Sequence, residues 1–355
     1  MIRTKKTKYL ELFNNIQNQQ HVEKILVIDG TNTFIRAVIA NPLLSDNGIH
    51  MGGIQGFLMS IGFAIRRFKI SNVVIVFDGK EGSKNRKKLY EEYKGKRTYS
   101  KRRTSHSCFY SLEEEQNALK FEMIRLLEYL KCLPVKIVIA DYIEADDIIA
   151  YISKNYGKDN KIMIMSTDKD FFQLISENAE VWSPTKKILY TKDNFHQICA
   201  VKNPENFIYA RIVEGDDSDN INGISGIKRK TLQKILPVIF ESEKTLSIIE
   251  VINYINEIPE SKLKAVSELK KNIKIIERNY KLMNLHNQEF ITNNMEIILK
   301  NSLTREKYKL NKFGFLSLLI EDQISTLIKD PESWIKDIWI KLDFNRDILH
   351  EYTTR

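Results

Sequence analysis

The sequence predicts an α/β fold in which helices flank a mostly parallel central sheet. Four short, continuous apolar runs have the pattern of buried strands, and longer amphipathic segments separate them. Strands that alternate with helices pair in parallel, and helices then cover both faces of the sheet. A strongly basic insertion follows the second strand, and a glycine-containing hairpin between two helices follows the fourth. Both segments are additions to the predicted sheet core.

Each element is predicted from the spacing of its apolar residues and from the Gly and Asp residues that punctuate the chain. The strands are Lys24–Gly30, Val73–Gly79, Lys136–Ala140 and Lys161–Ser166. Helices are predicted at Gly53–Phe68, Glu113–Tyr129, Ile148–Tyr156, Pro204–Val213, Lys228–Phe240 and within Ser261–Leu285.

Composition restricts the class of protein. The 355 residues are 43% hydrophobic and 28% charged, which suffices for one large or two modest domains. No run approaches the roughly 20 apolar residues that cross a bilayer, and Met1–Gln20 lacks the apolar core of a secretory signal. The scattered Cys108, Cys132 and Cys199 argue against a disulfide scaffold or a zinc site. We therefore expect a cytoplasmic protein without a membrane partner.

The net charge of +9 and the pI near 9.1 favour a polyanionic partner, with a solvated basic surface as the alternative. The charge is concentrated between Gly79 and Arg103, where Lys and Arg dominate and Tyr90, Tyr93 and Tyr99 are interleaved. This stretch is too basic to pack on the sheet, so we expect a loop or partly helical insertion above its active edge. Cations for phosphates and rings for bases are what a single-stranded nucleic-acid path requires.

A cluster of acidic residues predicts a site for a cation. Glu144, Asp146 and Asp147 fall within four residues in the first turn of a predicted helix. One acid there complements the helix dipole, but three repel one another, and a cation is the usual remedy. Ligands that offer only oxygen favour Mg²⁺ or Mn²⁺.

Other acids end the neighbouring strands. Asp29, Asp78 and Asp168 stand at the carboxyl edge of the predicted sheet, where ligands of such sheets bind. Each alone reads as a helix cap, but together they predict a shared metal site. Asp216 and Asp219 would share one face if their segment is helical. The full set of candidate ligands is Asp29, Asp78, Glu144, Asp146, Asp147, Asp168, Asp170, Asp216 and Asp219.

So many carboxylates would repel one another and destabilise the fold, and two or more Mg²⁺ ions would resolve this. Such ions lower the pKa of a bound water and stabilise a leaving oxygen, which suits hydrolysis of a phosphodiester. Lys94 or Arg97 could neutralise charge in the transition state. Rival chemistries lack their residues: no Walker loop is present, and neither Ser-His-Asp nor Cys-His chemistry is evident.

The hairpin supplies a second contact with nucleic acid. Gly223 and Gly226 allow the backbone to turn and to present its N–H groups, and Lys228, Arg229 and Lys230 follow. Together they predict a sequence-independent phosphate grip that resembles a helix–hairpin–helix element.

With these motifs the chain resembles the 5′-nuclease family of flap endonucleases and 5′–3′ exonucleases, particularly its stand-alone bacteriophage members, which include the phage ribonuclease H. Order and spacing agree over about residues 24–240. The matching motifs are Val27-Ile28-Asp29-Gly30, Phe77-Asp78-Gly79-Lys80-Glu81-Gly82, Tyr93-Lys94-Gly95-Lys96-Arg97, Glu144-Ala145-Asp146-Asp147, Ser166-Thr167-Asp168-Lys169-Asp170 and Gly215-Asp216-Asp217-Ser218-Asp219-Asn220-Ile221.

The resemblance implies a PIN-like catalytic domain over residues 23–200 with a helical arch at about 80–110. It also implies a helix–hairpin–helix subdomain over 201–288. The resemblance does not cover residues 1–22 and 289–355. From the residues alone we expect a polar basic extension and a helical tail, with Trp334 and Trp339 docking that tail onto the core. Asp29, Asp78, Glu144 and Asp146 would form the hydrolytic metal site, Asp146 being counted as catalytic. Asp168, Asp170, Asp216 and Asp219 would form the second site, with Asp147 at the margin.

The resemblance also assigns roles in substrate binding. Lys94 and Arg97 would contact the scissile phosphate, and Tyr93 would stack on a base. Independently of the resemblance, the basic run itself predicts that Lys84 and Arg86 contact the DNA. The hairpin would hold the duplex, with K⁺ at its carbonyls. The chain departs from the usual Gly-Ile-Gly by having Lys228 in the third position.

The sequence thus predicts a Mg²⁺-dependent, structure-specific 5′ nuclease, in which Mn²⁺ substitutes. Its substrates would be 5′ flaps, 5′ ends of duplex DNA and RNA primers in RNA–DNA hybrids during replication. A monomer is expected, with a single-strand-binding protein or a sliding clamp as partner, in the host cytoplasm if the chain is of phage origin. A non-catalytic branched-DNA-binding protein and a PIN-like ribonuclease remain as alternatives.

Overall fold

The architecture is taken from a computed structural model that describes residues 22–95, 103–259, 264–287, 289–304, 309–324, 328, 330–340 and 342. Its centre is a six-stranded sheet with the strand order β3-β2-β1-β4-β5-β6. All neighbouring strands are parallel except β5 and β6, which are antiparallel. The strands are β1 Lys24–Asp29, β2 Asn72–Asp78, β3 Lys136–Ala140, β4 Lys161–Met165, β5 Ala179–Ser183 and β6 Ile188–Tyr190.

The strand order brings three carboxyl ends together. Ile28 near the end of β1 pairs with Ile75 of β2 on one side and with Met165 of β4 on the other. The chain order changes direction at β1, and such a switch point opens a crevice beyond the strand ends. Asp78 at the end of β2 pairs in turn with Ala140 of β3.

Helices cover both faces and build a subdomain beyond β6. They are α1 Gly30–Ala40, α2 Gly52–Phe68, α3 Lys84–Leu89, α4 Leu112–Lys131, α5 Ala145–Tyr156, α6 Lys192–Cys199, α7 Phe207–Glu214, α8 Arg229–Ile235, α9 Val238–Glu241, α10 Ile248–Glu257, α11 Lys264–Lys271, α12 Ile273–Met283, α13 Asn293–Thr304, α14 Lys312–Glu321 and α15 Pro331–Trp334. Two 3₁₀ helices, Asp170–Leu174 and Pro204–Asn206, a π-helical turn, Ile335–Ile340, and a hairpin of β7 Gly215–Asp216 and β8 Ile221–Asn222 complete the described elements.

The α/β class, the four predicted strands and the main helices are confirmed, whereas α1 and α6 were not predicted. The short β5 and β6 carry no clear alternation and were not predicted. The helix predicted over Lys228–Phe240 is divided into α8 and α9 around Pro237. Proline has no backbone N–H to donate to the preceding turn, so a continuous helix is interrupted there.

Alternate residues of the strands face two separate cores. Val27 and Val76 point to the face covered by α5 and by the subdomain helices. Ile28 and Ile75 point to the face covered by α1, α2, α4 and the tail. The burial of Trp334 and Trp339 in this second core confirms that these residues dock the tail.

A glycine permits that docking. An added Cβ on Gly62 of α2 would lie 2.9 Å from Ile338 Cδ1 and 3.1 Å from Trp334 Nε1. Glycine at this position therefore lets the tail approach α2 closely without displacing these side chains. None of the described helices is long and apolar enough to span a bilayer.

Candidate active site

Two carboxylates at the sheet edge are fixed by the starts of helices. Asp29 Oδ1 accepts a hydrogen bond from the Asn32 backbone N–H at 3.0 Å, which caps α1, and its Oδ2 accepts one from Ser166 Oγ at 2.9 Å. Asp78 Oδ1 accepts the backbone N–H of Ala145 at 3.0 Å, so the end of β2 is tied to the start of α5. The strand-end acids are therefore held in place as well as brought together.

Asp29 and Asp146 lie in a strongly negative environment. Burial, together with the charges of Asp78 and Asp168, raises the pKa of Asp29 to about 7. Burial and the charges of Asp29 and Asp168 raise the pKa of Asp146 well above its usual range. Within the part of the chain that the structure describes, no salt bridge reaches Asp29 or Asp146. These carboxyl groups have a strong tendency to take up a proton or a cation.

Glu144, two residues before Asp146, is already paired. Its Oε1 lies 2.5 Å from Lys94 Nζ, and its Oε2 accepts hydrogen bonds from Arg86 Nη1 at 2.8 Å and from the Tyr93 hydroxyl at 3.0 Å. Although burial opposes ionisation, the charges of Arg86 and Lys94 lower the pKa of Glu144. Glu144 is thus a charged carboxylate held by Arg86, Tyr93 and Lys94. These residues belong to the described N-terminal part of the basic insertion, residues 84–95, which we call its stem.

Arg86 is a buried connector. Its side chain is 3% exposed and donates to Asp147 Oδ2 at 2.6 Å, to Asp147 Oδ1 at 2.8 Å and to the carbonyl of Leu282 at 2.8 Å. The ring of Phe290 lies 4.6 Å from its guanidinium. The predicted contact of Arg86 with DNA is therefore wrong for this structure, because the guanidinium is used inside the protein.

The same ion pair decides the position of Asp147. Both of its carboxylate oxygens face Arg86, so the structure does not bring Asp147 into the group formed by Asp29 and Asp146. The pairing with Arg86 agrees with the expected place of Asp147 at the margin of the metal sites and not with a role as a direct metal ligand.

Tyr93 also differs from the prediction. Its side chain is 2% exposed, and its hydroxyl donates to Glu144 Oε2 and lies 3.1 Å from Asp219 Oδ2. A ring in this position cannot stack on a base, so that role is wrong for this structure. The backbone N–H of Lys94 donates to the Asp219 carbonyl at 2.8 Å, which ties the same stem to a second loop. Arg97 lies outside the described residues.

The second group of acids surrounds an arginine. Arg211 of α7 donates from Nε to Asp170 Oδ1 at 2.8 Å and from Nη2 to Asp216 Oδ2. Asp168 Oδ1 accepts the backbone N–H of Asp170 at 2.9 Å, and the charge of Asp168 acts on the Asp170 carboxyl. Burial and the Asp168 charge raise the pKa of Asp170 to about 7 despite Arg211.

Asp216 and Asp219 lie on a hairpin turn and not on a helix. Asp216 ends β7 and its Oδ1 accepts the backbone N–H of Ser218 at 2.8 Å and that of Asp219 at 3.4 Å. The condition for a shared helical face, that their segment be helical, is therefore not met. Although burial opposes it, the bonds to Ser218 and Arg211 lower the pKa of Asp216.

Among the described residues, no three carboxylate, imidazole or thiol groups converge into a ready-made metal site. Several of the acids are instead held by cations of the chain, Glu144 by Lys94 and Arg86 and Asp170 by Arg211. The donor set nevertheless fits a hard divalent cation, since it offers carboxylate oxygens, and burial together with neighbouring carboxylates raises the pKa values of Asp29 and Asp170.

Sequence reasoning missed three polar residues of this edge. Ser166 holds Asp29, Asn32 accepts from Thr167 Oγ1 at 2.8 Å, and Arg211 bridges two acids. Ser166 directly precedes an acidic motif, which is a weak signal. Arg211 carries no signal in the sequence that separates it from the other arginines.

The glycine hairpin presents cations to the outside. Gly223 is required by close packing, because an added Cβ would lie 2.3 Å from the Glu214 carbonyl, and Gly226 has a φ of +77°. Lys228 and Lys230 are exposed. Arg229 instead donates to both carboxylate oxygens of Glu214, at 3.0 and 2.8 Å.

A family described as "5'-3' exonuclease, N-terminal resolvase-like domain" matches residues 24–200. A 5′–3′ exonuclease of Mycoplasmopsis pulmonis is 30% identical over 300 residues, which cover 82% of this chain and 94% of the relative. One of Aquifex aeolicus is 29% identical over 304 residues, which cover 84% and 95%.

A solved structure shares the fold. A bacteriophage T5 flap endonuclease variant, in complex with DNA and metal ions, matches with a TM-score of 0.58 and 21% identity over 85% of this chain and 100% of that one. The likeness in sequence to full-length exonucleases is the stronger finding. The chain therefore belongs to the 5′–3′ exonuclease family of nucleases.

Proposed function

We propose that this nuclease hydrolyses phosphodiesters at 5′ flaps and 5′ ends of duplex DNA with the help of divalent cations, Mg²⁺ in the first place. The observation that carries the proposal is the gathering of two acidic groups at the carboxyl edge of the sheet, directly beneath the stem of a basic insertion. The flap endonuclease of similar fold, which is described with DNA and metal ions, supports this choice of substrate and cofactor.

Each acidic group would hold part of the metal centre. Asp29, Asp78, Glu144 and Asp146 fit the hydrolytic site, and Asp168, Asp170, Asp216 and Asp219 fit a second site. Bound divalent ions supply an activated water and stabilise the leaving oxygen. Asp78 and Ser166 keep the edge in register through their bonds to Ala145 and Asp29.

Lys94 is the cation that the chain itself brings to the chemistry. Its ammonium lies on Glu144, at the edge where the substrate phosphate would arrive. A phosphate with developing negative charge competes with Glu144 for that ammonium, so Lys94 would transfer its contact to the substrate. Arg97, three residues further on, is proposed to act with it.

The duplex would be held away from the cut. Lys228 and Lys230 are exposed on the hairpin and suit contacts with phosphates, whereas Arg229 is engaged by Glu214. We place K⁺ at the hairpin carbonyls near Gly226 as part of the same proposal. RNA primers in RNA–DNA hybrids are the further substrate, with a single-strand-binding protein or a sliding clamp as partner of a monomer.

Cleavage of a 5′-labelled flap duplex in Mg²⁺ tests the proposal, with single-stranded RNA and an RNA–DNA hybrid as further substrates. We expect wild type to cut the flap, and Asp146→Asn and Lys94→Ala to lose about 100-fold or more in rate while duplex binding is retained. Asp159→Asn, an exposed acid beyond α5, is the matched control. A wild type that binds the flap but does not cut it would support the binding-protein alternative. Preferential cutting of single-stranded RNA would support the PIN-like alternative.

A further inference from the structure

Tyr142 is an exposed aromatic residue with a strained backbone at the edge of the site. It lies two residues before Glu144, and its side chain is 48% exposed. Its φ of +65° is in the left-handed region, which bulky residues rarely adopt. Strained residues persist where the surroundings hold them, and they concentrate at functional sites. The tyrosine therefore needs an explanation other than backbone preference.

The contacts that hold this turn do not use the ring. The backbone N–H of Tyr142 donates to the Lys80 carbonyl at 2.8 Å, and its own carbonyl accepts from Asn85 Nδ2 at 3.3 Å. Asp141 Oδ1 accepts the backbone N–H of Lys80 at 2.8 Å. Glycine or asparagine could make the same backbone bonds with less strain. The fold therefore explains the turn, but it does not explain the aromatic side chain.

The Tyr142 ring lies beside Lys84, near the N-terminal end of the basic insertion. Lys84 Nζ is 5.2 Å from the centroid of the Tyr142 ring, and the Lys84 side chain is 52% exposed. Glu81 pairs with the same ammonium at 2.6 Å and leaves it on the surface. An exposed ring next to an exposed cation is the combination that binds single-stranded nucleic acid without base preference. Tyr93, the ring first expected to do this, is buried.

We propose that Tyr142 stacks on a nucleobase of the 5′ single strand where that strand enters beneath the basic insertion, with Lys84 on a neighbouring phosphate. This inference rests on the proposed function, because it assumes a substrate with a 5′ single strand. The ligand is any nucleotide of that strand, since every base offers a π-face.

Binding measurements on three variants test the proposal. Tyr142→Gly and Tyr142→Asn remove the ring and relieve the strain, and Tyr142→Phe keeps the ring. We expect the first two to melt at the same temperature as wild type or higher and to bind a labelled 5′-flap duplex about tenfold more weakly. Their affinity for the same duplex without a flap should be unchanged, and Tyr142→Phe should bind the flap as wild type does.

Abasic flaps probe the same contact from the side of the DNA, first with the wild-type protein and then with the variant. One abasic position should weaken wild type by the same factor as Tyr142→Gly, and the two changes together should cost no more than either alone. Flap binding by Tyr142→Gly and Tyr142→Asn equal to that of wild type would overturn the inference. So would a loss shared with the flapless duplex or a marked fall in melting temperature for both. If wild type cuts flaps while these variants bind normally, only this inference fails. If wild type cuts no flap, the proposed function fails.

Discussion

Glu144 and Asp146 are two residues apart at the start of one helix, yet their surroundings are opposite. Glu144 receives hydrogen bonds from Lys94, Arg86 and Tyr93, and its pKa is lowered. Asp146 faces Asp29 and Asp168, and its pKa is raised. One motif therefore supplies a carboxylate that protein cations already stabilise and another that favours the uptake of a proton or an external cation. Substitutions that change either set of surroundings should therefore alter the free energy of unfolding in a predictable direction.

The largest effect is expected where the protein cations are removed. Arg86→Ala leaves Asp147 and one oxygen of Glu144 buried without their cation, and such losses cost about 3–5 kcal/mol. Urea unfolding measures the change. The double variant Arg86→Met with Asp147→Leu removes both charges and should recover part of the loss, whereas a single-variant change within about 0.5 kcal/mol would show that the ion pair is not formed.

The free energy of unfolding, measured against pH without divalent ions, tests the acidic half of this contrast. The pKa of Asp29 is raised from 3.8 to about 7, so the folded state binds its proton more tightly than the unfolded state does. The stabilisation is therefore present below the unfolded pKa and is lost as the pH rises towards 7. We expect the free energy of unfolding in EDTA to fall by about 2–4 kcal/mol from acid to neutral pH.

Mg²⁺ should restore most of that loss at neutral pH, because it binds the ionised carboxylates of the folded state. The control is Asp29→Asn, whose profile should be flatter over the same range. Stability that rises with pH in EDTA for wild type would contradict the raised pKa.

The smallest effects are expected at the hairpin. Lys230→Ala should weaken duplex binding a few-fold and reduce the salt dependence by about one unit, because one exposed phosphate contact is lost. Lys158→Ala, an exposed lysine at the other end of α5, is the matched control and should change neither quantity. Arg229→Ala should mainly lower stability, since Arg229 is bonded to Glu214. If duplex binding by wild type and by Lys230→Ala depends equally on salt concentration, the proposed contact between the hairpin and the duplex is contradicted.

The strands and their terminal acids could be predicted because both are local patterns. The burial of Arg86 and Tyr93 could not, since their partner Glu144 lies 58 and 51 residues away along the chain. A run of cations in the sequence does not distinguish a lysine that faces solvent from an arginine that fills an interior. The spacing of Asp216 and Asp219 would suit one face of a helix, but it does not show whether their segment is helical, and Gly215, with a φ of +77°, ends α7 before them.

The most direct test compares two charge removals in EDTA at neutral pH. The measured quantity is the free energy of unfolding of Asp146→Asn and of Glu144→Gln relative to wild type. The electrostatic contrast predicts that Asp146→Asn stabilises the protein, because the amide needs neither the proton nor the cation that the buried Asp146 carboxyl, with its raised pKa, tends to take up. Glu144→Gln should destabilise it by about 1–3 kcal/mol, because Lys94 and Arg86 lose a charged acceptor. Two changes of the same sign would contradict the account.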